Sequence, residues 1–149
     1  MINNSNSESI NFLKKISILD SKKVFYPLRS VLLKKDISFN DDDALIILPL
    51  PEDVKFPSTT KITDSGQLFN YKIDITITDQ SPQTEEELMK LFNKKVIAVF
   101  HYDSGKVIFG CNENPLQFLF NDDNTTNPIS THGFSVVLSG TTYYLKVNR

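Results

Sequence analysis

At 149 residues, with a net charge of −2 and a pI near 5.6, the chain is sized for one domain and lacks the basic excess of a general nucleic-acid binder. Its longest apolar run, residues 44–50, falls far short of the roughly 20 residues that cross a bilayer as a helix. The single cysteine, Cys111, excludes an internal disulfide framework and a Cys-cluster zinc site.

In chain order, residues 1–9 are polar and rich in Asn and Ser, without the positive start and apolar core of a signal peptide, so synthesis inside a cell is expected. Ile10, Phe12, Leu13, Ile16 and Leu19 follow at a spacing compatible with a short amphipathic helix or an adapting segment. Residues 1–20 are therefore expected to form a flexible N-terminal arm, ordered only against a neighbour, and 21–149 a single β-rich domain. Two apolar clusters, Val24-Phe25-Tyr26 and Val31-Leu32-Leu33, are split by Pro27 and read as strand pieces or an extended crossing.

Residues 44–48 read as a buried strand, and Pro49, Pro51 and Pro57 then oppose regular pairing to about residue 58. From 67 to 78, Tyr71, Ile73, Ile75 and Ile77 alternate with Lys72, Asp74, Thr76 and Thr78, which predicts a strand with one apolar and one wet face. A helix is expected over 85–93. Thr84 is its N-cap and Glu87 the reciprocal capping-box partner, with Leu88, Met89, Leu91 and Phe92 as the buried stripe. Strands are expected at 96–102, 106–110, 116–120, 133–139 and 142–147. The first two form a hairpin about Asp103-Ser104-Gly105-Lys106. Plentiful Ile, Val, Thr, Phe and Tyr, with only two alanines, Ala44 and Ala98, favour strands over helices. The fold class is thus mainly β (α+β): an antiparallel β-sandwich or partly open barrel with one short capped helix packed on the sheet.

The block running from Asp103-Ser104-Gly105-Lys106 through Val107-Ile108-Phe109-Gly110-Cys111 to the corner Asn112-Glu113-Asn114-Pro115-Leu116 is followed by Gly133-Phe134-Ser135-Val136-Val137-Leu138-Ser139-Gly140. Over roughly 71–144 this pattern resembles small virion proteins encoded by tailed bacteriophages and prophages of Bacteroidetes-type hosts. Cys111 and the long polar loop 121–131 depart from it, and no individual functional residue carries over. The resemblance implies assembly rather than catalysis: a subunit of the tail or neck that forms a ring or adaptor around the DNA conduit. Its partners would be copies of itself and adjacent virion proteins, with DNA nearby in the conduit and no membrane or cofactor. The alternative is a β-sandwich module that binds protein or glycan.

Three sets of side chains invite a sharper chemistry. Cys111 with His101 or His132 would make a thiol nucleophile only if the thiolate were exposed beside an imidazole, whereas a cysteine that ends a strand favours an inert core thiol. Asp41-Asp42-Asp43 and Asp122-Asp123-Asn124 lack the glycine and distal glutamate of a calcium loop and read as solvated turns. Phe109, Phe118, Phe120, Phe134, Tyr143 and Tyr144 read as core rather than a sugar platform, since tryptophan is absent. No catalytic, metal or cofactor residue is therefore assigned. Residues 1–36 carry +4 against −6 for the remainder, an asymmetry that points to docking on an acidic neighbour. Lys14, Lys15, Lys22, Lys23, Lys34 and Lys35 come in separated pairs without the aromatic interleaving of strand-binding grooves.

Overall fold

The computed structural model describes residues 12–56, 59–63, 66–79, 81–122, 133–142 and 147–148. Ten strands and two short α-helices lie among them: β1 (Leu13–Asp20), α1 (Leu28–Leu32), β2 (Ala44–Ile47), β3 (Val54–Lys55), β4 (Thr59–Thr63), β5 (Gly66–Ile77), α2 (Pro82–Met89), β6 (Lys95–Tyr102), β7 (Gly105–Phe109), β8 (Leu116–Asp122), β9 (Phe134–Thr142) and β10 (Val147–Asn148). The pairings are antiparallel. The fold is mainly β, as the composition predicts.

β6 organises the sheet. Along one edge it pairs with β1, from Leu13 opposite Tyr102 to Asp20 opposite Val96. Its other edge is divided: 98–102 pair with β7, while Lys95 and Val96 pair with β8. One wing is therefore β2-β1-β6-β7-β10 and the other is β8-β9-β5, with β4 and β3 sharing the far edge of β5. The two meet at a two-residue link.

The unbroken apolar run in β6 follows from burial on both faces, where alternation with polar residues would place the wrong group inside. Val96, Ala98 and Phe100 face a core shared with Ile16 and Ile18 of β1, Ile73, Ile75 and Ile77 of β5, and Val136 and Leu138 of β9. Ile97 and Val99 face a second cluster with Leu19, Tyr26, Ile37, Ile108 and Cys111, covered by Leu28 and Val31 of α1. Each fully buried side chain of this size is worth roughly 1.5–3 kcal/mol, so this strand anchors the fold.

Two glycines make room where the wings meet. Gly110 adopts φ +92°, a region that side-chain-bearing residues avoid. At Gly140 an added Cβ would lie 2.7 Å from Cδ2 of Leu116, the buried first residue of β8. The Gly, Pro-Leu and Ser-Gly pieces of the sequence pattern thus converge on one side chain.

Several local expectations are corrected. Leu13–Asp20, placed in the flexible arm, is instead a strand, because Ile16 and Ile18 supply the shared core while Leu19 supplies the second cluster. The rest of that arm, 1–11, lies outside the described residues. The stretch read as strand pieces contains α1. Pro27 precedes it in an extended conformation, and Lys34 closes it in the left-handed region (φ 52°). There Lys34 N–H donates to the Val31 carbonyl and Lys35 N–H to that of Ser30, the paired bonds of a Schellman ending.

α2 starts at Pro82, earlier than expected. Its N-cap is Ser81, whose Oγ accepts from Thr84 N–H, and the proline occupies the first turn, where its missing N–H costs nothing. Leu88 and Leu91 are buried, whereas Met89 and Phe92 are half-exposed. β2 is a half-exposed outer strand rather than a buried one. Val54 and Lys55 pair with Ile75 and Asp74 within the proline-rich connection.

Candidate functional site

The residues singled out for chemistry are dispersed. Cys111 is buried in the second cluster, and that burial pushes its thiol above the ordinary range, away from a reactive thiolate. His101, on β6, shares a hydrogen bond of 3.1 Å with Ser17 Oγ and lies edge-on to Phe39. Burial and the positive charges of Lys15 and Lys106 lower its pKa, opposed by Asp41 and Asp36. Ser17 is itself completely buried, so the pair is a satisfied core contact and not an accessible nucleophile with its base. His132, Asp123, Asn124, Tyr143 and Tyr144 lie outside the described residues.

Asp41, Asp42 and Asp43 form one exposed 3₁₀ turn, capped by Asn40, whose Oδ1 accepts from Asp42 N–H. Among the described residues no group of three or more His, Cys, Asp or Glu side chains could hold a metal ion, and no helix is long and apolar enough to cross a membrane. The described phenylalanines of the aromatic set pack against the core. Phe109 contacts Phe100, Tyr71 and Phe56, while Phe120 contacts Phe118, Phe134 and Phe92.

Two surfaces stand out instead. The first is a groove of about 650 Å³ between β2, the end of β5 and α2, within the size range of ligand and peptide sites. Its floor is apolar: Leu45 and Ile47 from β2, Ile77 from β5 and Leu88 from α2. Its rim is acidic, with Asp53, Asp79, Glu86 and Glu87 and no lysine or arginine among the described lining residues. Asp79 Oδ1 accepts from Ser81 N–H at 2.9 Å, and this bond, helped by the Thr84 and Ser81 side chains, holds its carboxyl below the usual range. Asp53 Oδ2 accepts from Leu50 N–H at 3.0 Å, and Glu87 pairs with Lys90 at 3.0 Å. Three of these acids are thus pinned by local bonds, whereas Glu86 is exposed on α2. Beside the groove, β2 hydrogen-bonds only β1 among the described residues, which leaves one strand edge open.

The second surface is the ridge made by α1 and its flanks. Leu28 and Val31 pack inward, and Arg29, Leu32, Leu33, Lys34 and Lys35 face solvent. Phe25, just before the helix, is 84 % exposed. The corner Asn112-Glu113 holds this ridge in place: Glu113 Oε2 accepts from Leu28 N–H, and the Asn112 carboxamide donates to the carbonyls of Ser21 and Val24 at 2.7 and 2.9 Å.

Neither surface was found by sequence reasoning. The groove joins residues 45–53 to 76–88, which only the sheet topology brings together. The ridge carried one signal, the basic excess of 1–36. No family model, curated protein or solved structure matches the chain.

Proposed function

We propose that this chain is a structural subunit of a tailed-phage virion, assembling with copies of itself into a ring or adaptor of the tail or neck. Its place of work is then the virion, after synthesis in the host cytoplasm, with neighbouring virion proteins above and below and the DNA conduit alongside. The sequence pattern that ends in Gly110, Pro115-Leu116 and Gly140 brings this reading forward. The observation that carries it is the pair of separate surfaces with exposed apolar side chains, Ile46 and Leu48 at the acid-rimmed groove and Phe25, Leu32 and Leu33 on the basic ridge. A lone soluble domain has little reason to display both. Such a body is best described as a partly open barrel: two wings about a shared core, a second cluster on the other face of β1 and β6, and α2 beside β2 and the end of β5.

Size-exclusion chromatography with light scattering, followed by electron microscopy of the purified chain, tests the proposal. Discrete higher-order particles whose population grows with concentration support it, and a monomer at every concentration refutes it. The groove's dimensions favour one alternative, a β-rich module that takes a protein or glycan ligand. That alternative requires a monomer with saturable binding.

A further inference from the structure

We propose that the groove between β2 and α2 receives the α1 ridge of a second copy of this chain, so that subunits join head to tail. The inference rests on the assembly reading above and specifies which surfaces meet.

The two surfaces match in charge and in character. Arg29, Lys34 and Lys35 are exposed and belong to none of the ion pairs found among the described residues. Between them stand Leu32 and Leu33, 57 % and 56 % exposed. The groove offers the complement: an acidic rim, an apolar floor, and Leu48 in its lining, 77 % exposed. An apolar side chain entering the groove leaves water, while its basic neighbours reach the rim carboxylates. Burial supplies affinity and the charges supply orientation and selectivity.

The same molecule cannot make this contact. α1 packs on the face of β1 and β6 that presents Leu19, Ile97 and Val99, whereas the groove floor belongs to the opposite core through Leu88, Leu45 and Ile47. The ridge and the groove that it fits are therefore on different sides of one sheet, and the occupant must come from another copy. A contact between two unlike patches leaves each copy with one further ridge or groove to offer. Repeated in one direction, it generates a closed ring or an open filament.

The test uses the full chain in three forms: wild type, the ridge variant Arg29→Glu/Lys34→Glu/Lys35→Glu, and the groove variant Glu86→Lys/Glu87→Lys. All five substitutions replace exposed side chains, and circular dichroism checks that each variant folds. Wild type is expected to form a multi-subunit species that weakens as salt rises, and each variant alone is expected to be monomeric. Mixed in equal amounts, the two variants should co-assemble, because the acidic ridge of one then faces the basic groove of the other, and the reverse. As a second measurement, Leu33→Cys/Leu48→Cys should give disulfide-linked ladders on oxidation. Wild-type mass retained in both charge-reversed variants, or a mixture that stays monomeric, overturns this interface while leaving assembly itself standing. A wild type that is monomeric throughout overturns both.

Discussion

Asn112 and Tyr26 hold each other by reciprocal hydrogen bonds: Tyr26 N–H donates to the Asn112 carboxamide oxygen, and Asn112 N–H donates to the Tyr26 carbonyl at 2.8 Å. The two lie 86 positions apart, so the corner after β7 fixes the path of the chain after β1. The carboxamide nitrogen adds its bonds to Ser21 and Val24, and the Tyr26 hydroxyl donates to the Lys35 carbonyl at 2.7 Å. Asparagine is suited to this place because it offers an acceptor and two donors on one short side chain.

Replacing Asn112 with Ala removes three side-chain bonds and leaves their backbone partners to find water. A loss of about 2–4 kcal/mol is expected, at roughly 1 kcal/mol per bond plus the cost of unpaired buried groups. Asn112→Asp should also destabilise, since it keeps the acceptor for Tyr26 but loses both donors. Urea denaturation measures the two, and a midpoint unchanged in Asn112→Ala would show that the corner does not hold the segment.

Gly140 and Leu116 give a second prediction. An alanine at 140 would bring its Cβ to 2.7 Å from Leu116 Cδ2, and overpacking of a filled core costs about 1–3 kcal/mol. Leu116→Ala alone should cost about 2–5 kcal/mol through the cavity it leaves. In the double variant the clash disappears, so the combined loss should be smaller than the sum of the two. Strict additivity in a double-mutant cycle would refute the contact.

Lys34 occupies the left-handed region at the end of α1 (φ 52°), where a residue with a Cβ is strained by about 1–2 kcal/mol. Glycine relieves that strain and gives back part of the gain as unfolded-chain entropy. Lys34→Gly should therefore raise stability by a few tenths to about 1 kcal/mol, read as a higher thermal midpoint. A lower midpoint would mean that the lysine side chain contributes more at this position than the backbone strain costs.

The strands were legible where one face is apolar and one wet, as in Tyr71, Ile73, Ile75 and Ile77, or where an apolar run is bracketed by a Gly turn, as in β6 and β7. β1 lacks that signature because Ile16, Ile18 and Leu19 serve two cores at once, and a strand buried on both faces loses its alternation. α1 was hidden because its five residues are too few for a 3.6-residue period to show, and because Pro27 reads as a breaker until the helix that follows is seen. In α2, Ser81-Pro82 is the stronger start signal than Thr84, since proline fits the first turn. The groove had no local signature at all. Its floor comes from β2, β5 and α2, and their proximity is a property of sheet order alone.

His101 supplies a prediction for pH. Its folded pKa lies below the ordinary value near 6.5, first because of burial and then because of Lys15 and Lys106, with Asp41 and Asp36 pulling the other way. In the unfolded chain the imidazole protonates near 6.5, so between the folded pKa and that value unfolding takes up a proton. Stability from this group is therefore fully present above about pH 6.5 and is lost as pH falls below it, levelling off once the folded imidazole is also protonated. The thermal midpoint should fall between pH 7.5 and pH 5.5 in the wild type and fall less in His101→Gln, which keeps a polar partner for Ser17 without titrating. His132 is common to both proteins and cancels in the comparison. The lowered carboxyls of Asp79 and Asp103 act below the ordinary carboxylate range, well outside this window. Parallel midpoint curves for the two proteins would refute the assignment, because the slope would then belong to groups other than His101.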